Sequence, residues 1–167
     1  MKTVVIFDVD NTIYYNKIET IPSQTLELLT DLSQRDDVVL GLATGRGLAK
    51  LSVIAHTLSL FKYKILVNGA AIFKNDQMIY NEPIKTEDIE EILALTKGSD
   101  FNIGMVGIND EAVNYWDERV SYGMKALRGI FPKVDPMFYK KIDVYQLWMF
   151  ADYESQILKI AQEMPKF

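Results

Sequence analysis

The apolar run Val4-Val5-Ile6-Phe7, broken at once by Asp8-Val9-Asp10-Asn11-Thr12, does most to limit what this chain can become. Four consecutive apolar residues, β-branched or aromatic, read as a short strand buried on both faces, as in a parallel sheet. Two acids two residues apart then stand just past its C-terminal end, where open α/β sheets keep their chemistry. Placing two carboxylates together at the rim of a core is costly unless a cation or a proton offsets them. The pattern points to a metal ion, a phosphoryl group or both. The plainer alternative is a capped turn, in which Asp10 or Asn11 ties down the loop and Thr12 bonds to backbone.

The same punctuation recurs along the chain. After a polar and aromatic excursion at Tyr14-Tyr15-Asn16-Lys17, Pro22 and Ser23 open a helical pattern with Leu26, Leu29 and Leu32 on one face, closed by Asp36-Asp37. A second buried strand, Val38 to Ala43, ends in Thr44-Gly45-Arg46, and a helix follows through Leu48, Leu51, Ile54, Ala55 and Leu58. A third strand, Ile65-Leu66-Val67, ends in Asn68-Gly69-Ala70. Strands alternating with helices predict a parallel sheet with right-handed crossovers. Ala71 to Lys74 and Gln77 to Tyr80, joined by Asn75-Asp76, predict a hairpin.

Around Asn81-Glu82-Pro83 the character changes. A helix from Thr86 to Lys97 is stopped by Gly98. Asn102 to Gly107 and Glu111 to Trp116 read as paired strands around Asn109-Asp110. A short helix over Glu118 to Leu127, an irregular stretch from Pro132 to Met137, a strand from Tyr145 to Ala151 and a helix from Ser155 to Met164 complete the chain. The expected organisation is α/β: a sheet-based core over residues 1–82 and a second, α+β module over residues 83–167.

Composition narrows the function classes. The net charge is −5 and the Lys and Arg residues are scattered, so there is no nucleic-acid footprint. Cysteine is absent, which removes disulfides and thiolate metal sites and suits a reducing cytoplasm. Nothing resembles a signal peptide, and no apolar run is long enough to span a bilayer. A cytoplasmic protein without nucleic-acid or membrane partners is expected.

Strand ends in a parallel sheet lie side by side, so three turns should meet: Asp8/Asp10/Thr12, Thr44/Gly45/Arg46 and Asn68/Gly69. Their small and hydroxyl residues, with backbone amides free to face an anion, suit a phosphate. A carboxylate such as Asp8 can attack phosphorus, and a second acid such as Asp10 can protonate the leaving oxygen and later activate water. A hydroxyl such as Thr44 can bond the transferring group. Phosphoryl transfer needs positioning and charge neutralisation above all, so Mg²⁺ held by oxygen ligands is the expected cofactor.

Asp8-Val9-Asp10-Asn11-Thr12 resembles the first motif of the haloacid dehalogenase superfamily, and Ala43-Thr44-Gly45-Arg46 resembles its second. The Asn68-Gly69-Ala70 turn, the hairpin and the Glu82-Pro83 passage into another module resemble the Cof-type phosphatases, whose large α/β cap follows the third strand. The resemblance implies a Rossmann-like core with an α+β cap and hydrolysis of small phosphorylated metabolites such as sugar phosphates. It makes Asp8 the nucleophile, Asp10 the acid/base and Thr44 the phosphoryl-binding hydroxyl. Asp8 would ligate Mg²⁺ through its side chain and Asp10 through its backbone carbonyl. Asn68 would face substrate. Asn11 stands where the family more often has glycine.

One departure matters. Family members return from the cap to the core with a lysine and an acidic motif that complete the site, and this sequence stops before either. Gly107-Ile108-Asn109-Asp110 reads as a hairpin turn, Asp36-Asp37 as solvated, and Lys62 and Lys64 as lying at the wrong end of the third strand. The expectation is a truncated chain with an incomplete core and cap and weak or no catalysis. Its first strand would be an exposed apolar edge that invites self-association. A phosphosugar mutase and a non-catalytic module, receiver-like or vestigial, are the alternatives. Arg46, at a helix start, reads as an anion or cap contact or as a salt bridge. His56 reads as a surface residue, Tyr14 and Tyr15 as packing of the loop, and Trp116, Tyr145 and Trp148 as core residues of strands.

Overall fold

The computed structural model describes residues 2–98, 101–127 and 131–163. It separates into two compact units, Met1–Pro83 and Ile84–Phe167.

The first unit is α/β. Its five-stranded sheet runs in the order β1-β2-β3-β4-β5, with β1 Thr3–Phe7, β2 Val38–Ala43, β3 Tyr63–Leu66, β4 Ala71–Lys74 and β5 Gln77–Asn81. β1, β2 and β3 are parallel, with Phe7 opposite Leu42 and Ala43 opposite Ile65; β4 and β5 add an antiparallel hairpin. The parallel register sets three strand ends level with one another. The helix α1 (Ser23–Ser33) packs on β2, and Leu29, Leu40, Leu42, Leu66 and Ala71 are fully or almost fully buried. Asn75 and Asp76 both take left-handed backbone (φ 47° and 64°), the pair of conformations a two-residue hairpin of this hand requires.

Three expectations change here. The segment Leu48–Leu60 is a 3-10 helix broken at Ile54 (φ −122°, ψ 20°), not a regular α-helix. Its buried positions Leu51, Ile54 and Thr57 repeat every third residue, and a three-residue turn stacks such positions in one line. β1 is not buried on both faces: it is the sheet's outer strand, and Val4 and Ile6 are 55% and 51% exposed. Lys64 lies within β3 and not before it, buried, with its ammonium 2.6 Å from the Asp76 carboxylate, and it stays at the strand's N-terminal end, away from Asn68, as expected.

The second unit is a four-stranded sheet in the order β8-β7-β6-β9, built from β6 Asn102–Val106, β7 Glu111–Val113, β8 Lys133–Val134 and β9 Gln146–Phe150. Its helices are α2 (Thr86–Thr96), α3 (Glu118–Leu127) and α4 (Glu154–Glu163). Ile89 of α2 packs with Met105, Ala112, Phe138 and Val144, while Val120 and Met124 of α3 pack with Val113. Gly98, with φ 83°, follows the end of α2 as a stop. Gly107 and Asp110 close the β6–β7 hairpin through a 2.9 Å backbone bond, so this stretch is a turn. The short strand β8 was not foreseen in the irregular Pro132–Met137 stretch. Trp116 lies just past the bend that follows β7 and is 46% exposed against Phe131, so it is not a core residue of a strand. Met164, foreseen as helical, lies outside the described residues. No helix among the described residues is long and apolar enough to cross a membrane.

Candidate active site

Asp8 is the first residue past β1 and its side chain is exposed. A tight turn then folds the chain back. The Val9 carbonyl accepts from the N–H groups of Thr12, Ile13 and Tyr14 at 3.3, 3.1 and 2.9 Å, and Asn11 N–H donates to Tyr14 O at 2.7 Å. Asn11 holds φ 57°, a left-handed position that asparagine and glycine tolerate best. Val9, Ile13 and Tyr14 are buried and anchor the turn. The Thr12 hydroxyl donates to Asp8 Oδ2 at a long 3.4 Å.

Asp10 points to the second strand end. Arg46 grips its carboxylate with two bonds, Nε to Oδ2 at 2.8 Å and Nη2 to Oδ1 at 2.7 Å. A third bond, Nη1 to the Lys50 carbonyl at 2.8 Å, fixes the other edge of the guanidinium. Between the two readings left open for Arg46, the geometry is that of a salt bridge. The bonds from Arg46 hold the Asp10 carboxyl below its ordinary pKa, outweighing the partial burial that pushes it up, and Asn16 lowers it further. The ionised form of Asp10 is thereby favoured.

The second and third strand ends are laced together. Asn68 N–H donates to Thr44 O at 3.2 Å and Val67 N–H to Arg46 O at 3.2 Å. Arg46 N–H donates to Thr44 Oγ1 at 3.2 Å, so that hydroxyl keeps its own proton to give. Val67, Asn68 and Gly69 form a left-handed turn, with φ 48°, 59° and 96°. This is strained for Val67, whose β-branch disfavours left-handed backbone, and it lays the Asn68 side chain against Gly45. One expectation is corrected in part: the Arg46, Val67 and Asn68 amide groups are not free to face an anion, because the strand ends use them to bind one another.

The structure thus brings Asp8, Asp10, Thr44, Gly45, Arg46 and Asn68 to one end of one sheet. Asp8, Gly45 and Asn68 are exposed, Thr44 is buried behind them, and Arg46 is largely covered. Sequence reasoning did not single out Asn16, which bonds Asp10, or the Lys50 carbonyl; a backbone acceptor carries no sequence signal. His56 is exposed, away from these elements in sequence and without a role here. Among the described residues no cluster of three Asp, Glu or His side chains gathers. The exposed Asp8 carboxylate is one hard oxygen donor, and the resemblance assigns the Asp10 backbone carbonyl as a second. That set fits a cation such as Mg²⁺, which takes one or two carboxylate groups and fills the rest of its octahedron with water and substrate.

The sequence profile of the haloacid dehalogenase-like hydrolases matches residues 5–167. The chain belongs to that family. It is 24% identical over 165 residues to YkrA of Bacillus subtilis, a provisionally named phosphatase, covering 98% of this chain and 62% of that one. The fold matches a crystal structure of a hypothetical protein from Geobacillus kaustophilus with a TM-score of 0.89 at 21% identity, over all of this chain and 64% of the other. It matches the subclass IIB sugar phosphatase BT4131 with a TM-score of 0.80 at 23% identity, over 99% and 64%. The chain therefore spans about three-fifths of the length of these relatives, and what it shares with the solved structures is the haloacid dehalogenase fold.

Proposed function

We propose that this protein is a Mg²⁺-dependent phosphohydrolase of small phosphorylated metabolites, sugar phosphates foremost, working through a phosphoryl-aspartate. The observation that carries the reading is the pairing at one strand end of an exposed carboxylate, Asp8, with a second, Asp10, whose charge the largely covered Arg46 offsets. Membership of the family and the sugar-phosphatase activity named for BT4131 support the substrate class.

In the first step an Asp8 carboxylate oxygen attacks phosphorus, the bond from phosphorus to the ester oxygen breaks, and that oxygen takes a proton from Asp10. In the second, Asp10 takes a proton from water, the water oxygen attacks phosphorus, and phosphate and free Asp8 are released. The Thr44 hydroxyl donates to a phosphoryl oxygen and Asn68 faces the substrate from the third strand end. Mg²⁺ at Asp8 and the Asp10 carbonyl would neutralise the charge of the phosphoryl group. The clasp of Arg46 leaves Asp10 in the base form that the second step uses. For the first turnover Asp10 draws its proton from solvent as one Arg46 bond opens; thereafter the proton it takes from water in the second step serves the next first step.

The test is release of inorganic phosphate from a panel of sugar phosphates with Mg²⁺, with Asp8→Asn as control. Phosphate release that Asp8→Asn abolishes supports the reading. Turnover is expected to be slow, because the chain spans about three-fifths of the length of its relatives, and release that survives the substitution refutes the reading. Recovery of an isomeric sugar phosphate in place of free sugar would identify a mutase.

A further inference from the structure

We propose that Arg46 is the positioning residue of Asp10, not a ligand of the substrate phosphate. The inference rests on Asp8 and Asp10 being the reactive pair, and it assigns to Arg46 a task distinct from the anion contact that its place in a phosphate-handling turn suggests.

Three observations carry it. First, three of the five guanidinium N–H groups are already engaged, one on each nitrogen: Nε and Nη2 are on Asp10 and Nη1 is on the Lys50 carbonyl, which fixes both the plane and the direction of the group. Second, the order of layers is wrong for a phosphate ligand. The Arg46 side chain is 10% exposed and the Asp10 carboxylate 36%, so an anion arriving beside exposed Asp8 meets a carboxylate before it meets the arginine. Withdrawing Arg46 to reach a phosphate would leave Asp10 part-buried and uncompensated, which costs more than a surface pair returns. Third, the backbone of the same residue ties the other two strand ends. Its N–H donates to the Thr44 hydroxyl and its carbonyl accepts from Val67 N–H. One residue thus holds the acid/base, the phosphoryl-binding hydroxyl and the third turn in a common frame. A planar fork can do this and a point charge cannot.

Positioning and ligation separate in the kinetics of Arg46→Gln and Arg46→Lys. A misplaced Asp10 lowers kcat by about 10- to 100-fold and leaves KM within about threefold. Arg46→Lys, which keeps the charge and loses the fork, should resemble Arg46→Gln more than the parent. The double variant with Asp10→Asn should be no slower than Asp10→Asn alone, because both remove the same function. A tenfold rise in KM with kcat unchanged, or losses that multiply in the double variant, would overturn the inference. If the parent turns over too slowly to measure, Arg46 is judged by NMR alone. Its Nε–H should give a protected ¹H–¹⁵N signal that Asp10→Asn abolishes and that inorganic phosphate with Mg²⁺ leaves in place. A shift of that signal on adding inorganic phosphate would make Arg46 a phosphate ligand.

Discussion

Asn68 Oδ1 lies 2.9 Å from where a side chain at Gly45 would begin. The second and third strand ends approach so closely that position 45 must carry no Cβ if Asn68 is to keep its place. Because the obstructing atom is the tip of a flexible side chain, Gly45→Ala should swing Asn68 away without opening the core. Its thermal stability should fall by less than about 1 kcal/mol. Affinity for inorganic phosphate, measured by calorimetry, should fall roughly fivefold, the loss of about one hydrogen bond. Unchanged affinity would show that Asn68 does not face the ligand.

The left-handed backbone of Asn11 predicts a second asymmetry. Asn11→Gly should leave stability within a few tenths of a kcal/mol, whereas Asn11→Ala should lose about 1 kcal/mol, because a Cβ without a compensating polar group is strained there. Denaturant midpoints of the two variants decide it, and equal midpoints would contradict the turn geometry.

Much of this site was legible because each strand ended on residues with a chemical reason to be there. Asp8 and Asp10 broke an apolar run, Asn11 occupied a position that favours glycine, and Thr44-Gly45-Arg46 closed the next strand. The partnership of Arg46 with Asp10 was only half legible: the sequence marked both residues, but not that 36 positions of chain would fold back to join them. Period also misled. Leu48 to Leu58 suits an α-helix about as well as the 3-10 helix that forms, and only the burial of every third residue separates the two. The exposed edge of β1 was legible only through the family resemblance, because no local pattern records which strands border it.

That exposure has a consequence for assembly. Val4 and Ile6 leave the outer strand with apolar side chains at the surface, with no charge, proline or bulge within Thr3–Phe7 to protect the edge. The chain as given should self-associate with rising concentration in sedimentation velocity, and Val4→Lys should restore a monomer. A parent that stays monomeric throughout would refute the pairing role of this edge.

In the second unit, Asp117 caps α3: its Oδ1 accepts Val120 N–H at 2.9 Å, and its Oδ2 lies 2.8 Å from Arg119. Burial pushes this carboxyl up, but the Val120 amide and Arg119 outweigh it and hold the pKa below its ordinary 3.8. Asp117→Ala should cost about 1 kcal/mol at neutral pH. Since the folded value is the lower one, the contribution is complete above pH 3.8 and fades as pH falls through the folded pKa, where parent and variant should converge. A difference that persists unchanged into strong acid would place the effect elsewhere.

The most direct test of the central claim is to quench turnover of an aryl phosphate in acid and map the protein by mass spectrometry. The account predicts one phosphoryl group on the peptide that carries Asp8, and none in Asp8→Asn. A phosphoryl group on any other residue, or ester hydrolysis that persists in Asp8→Asn, would contradict it.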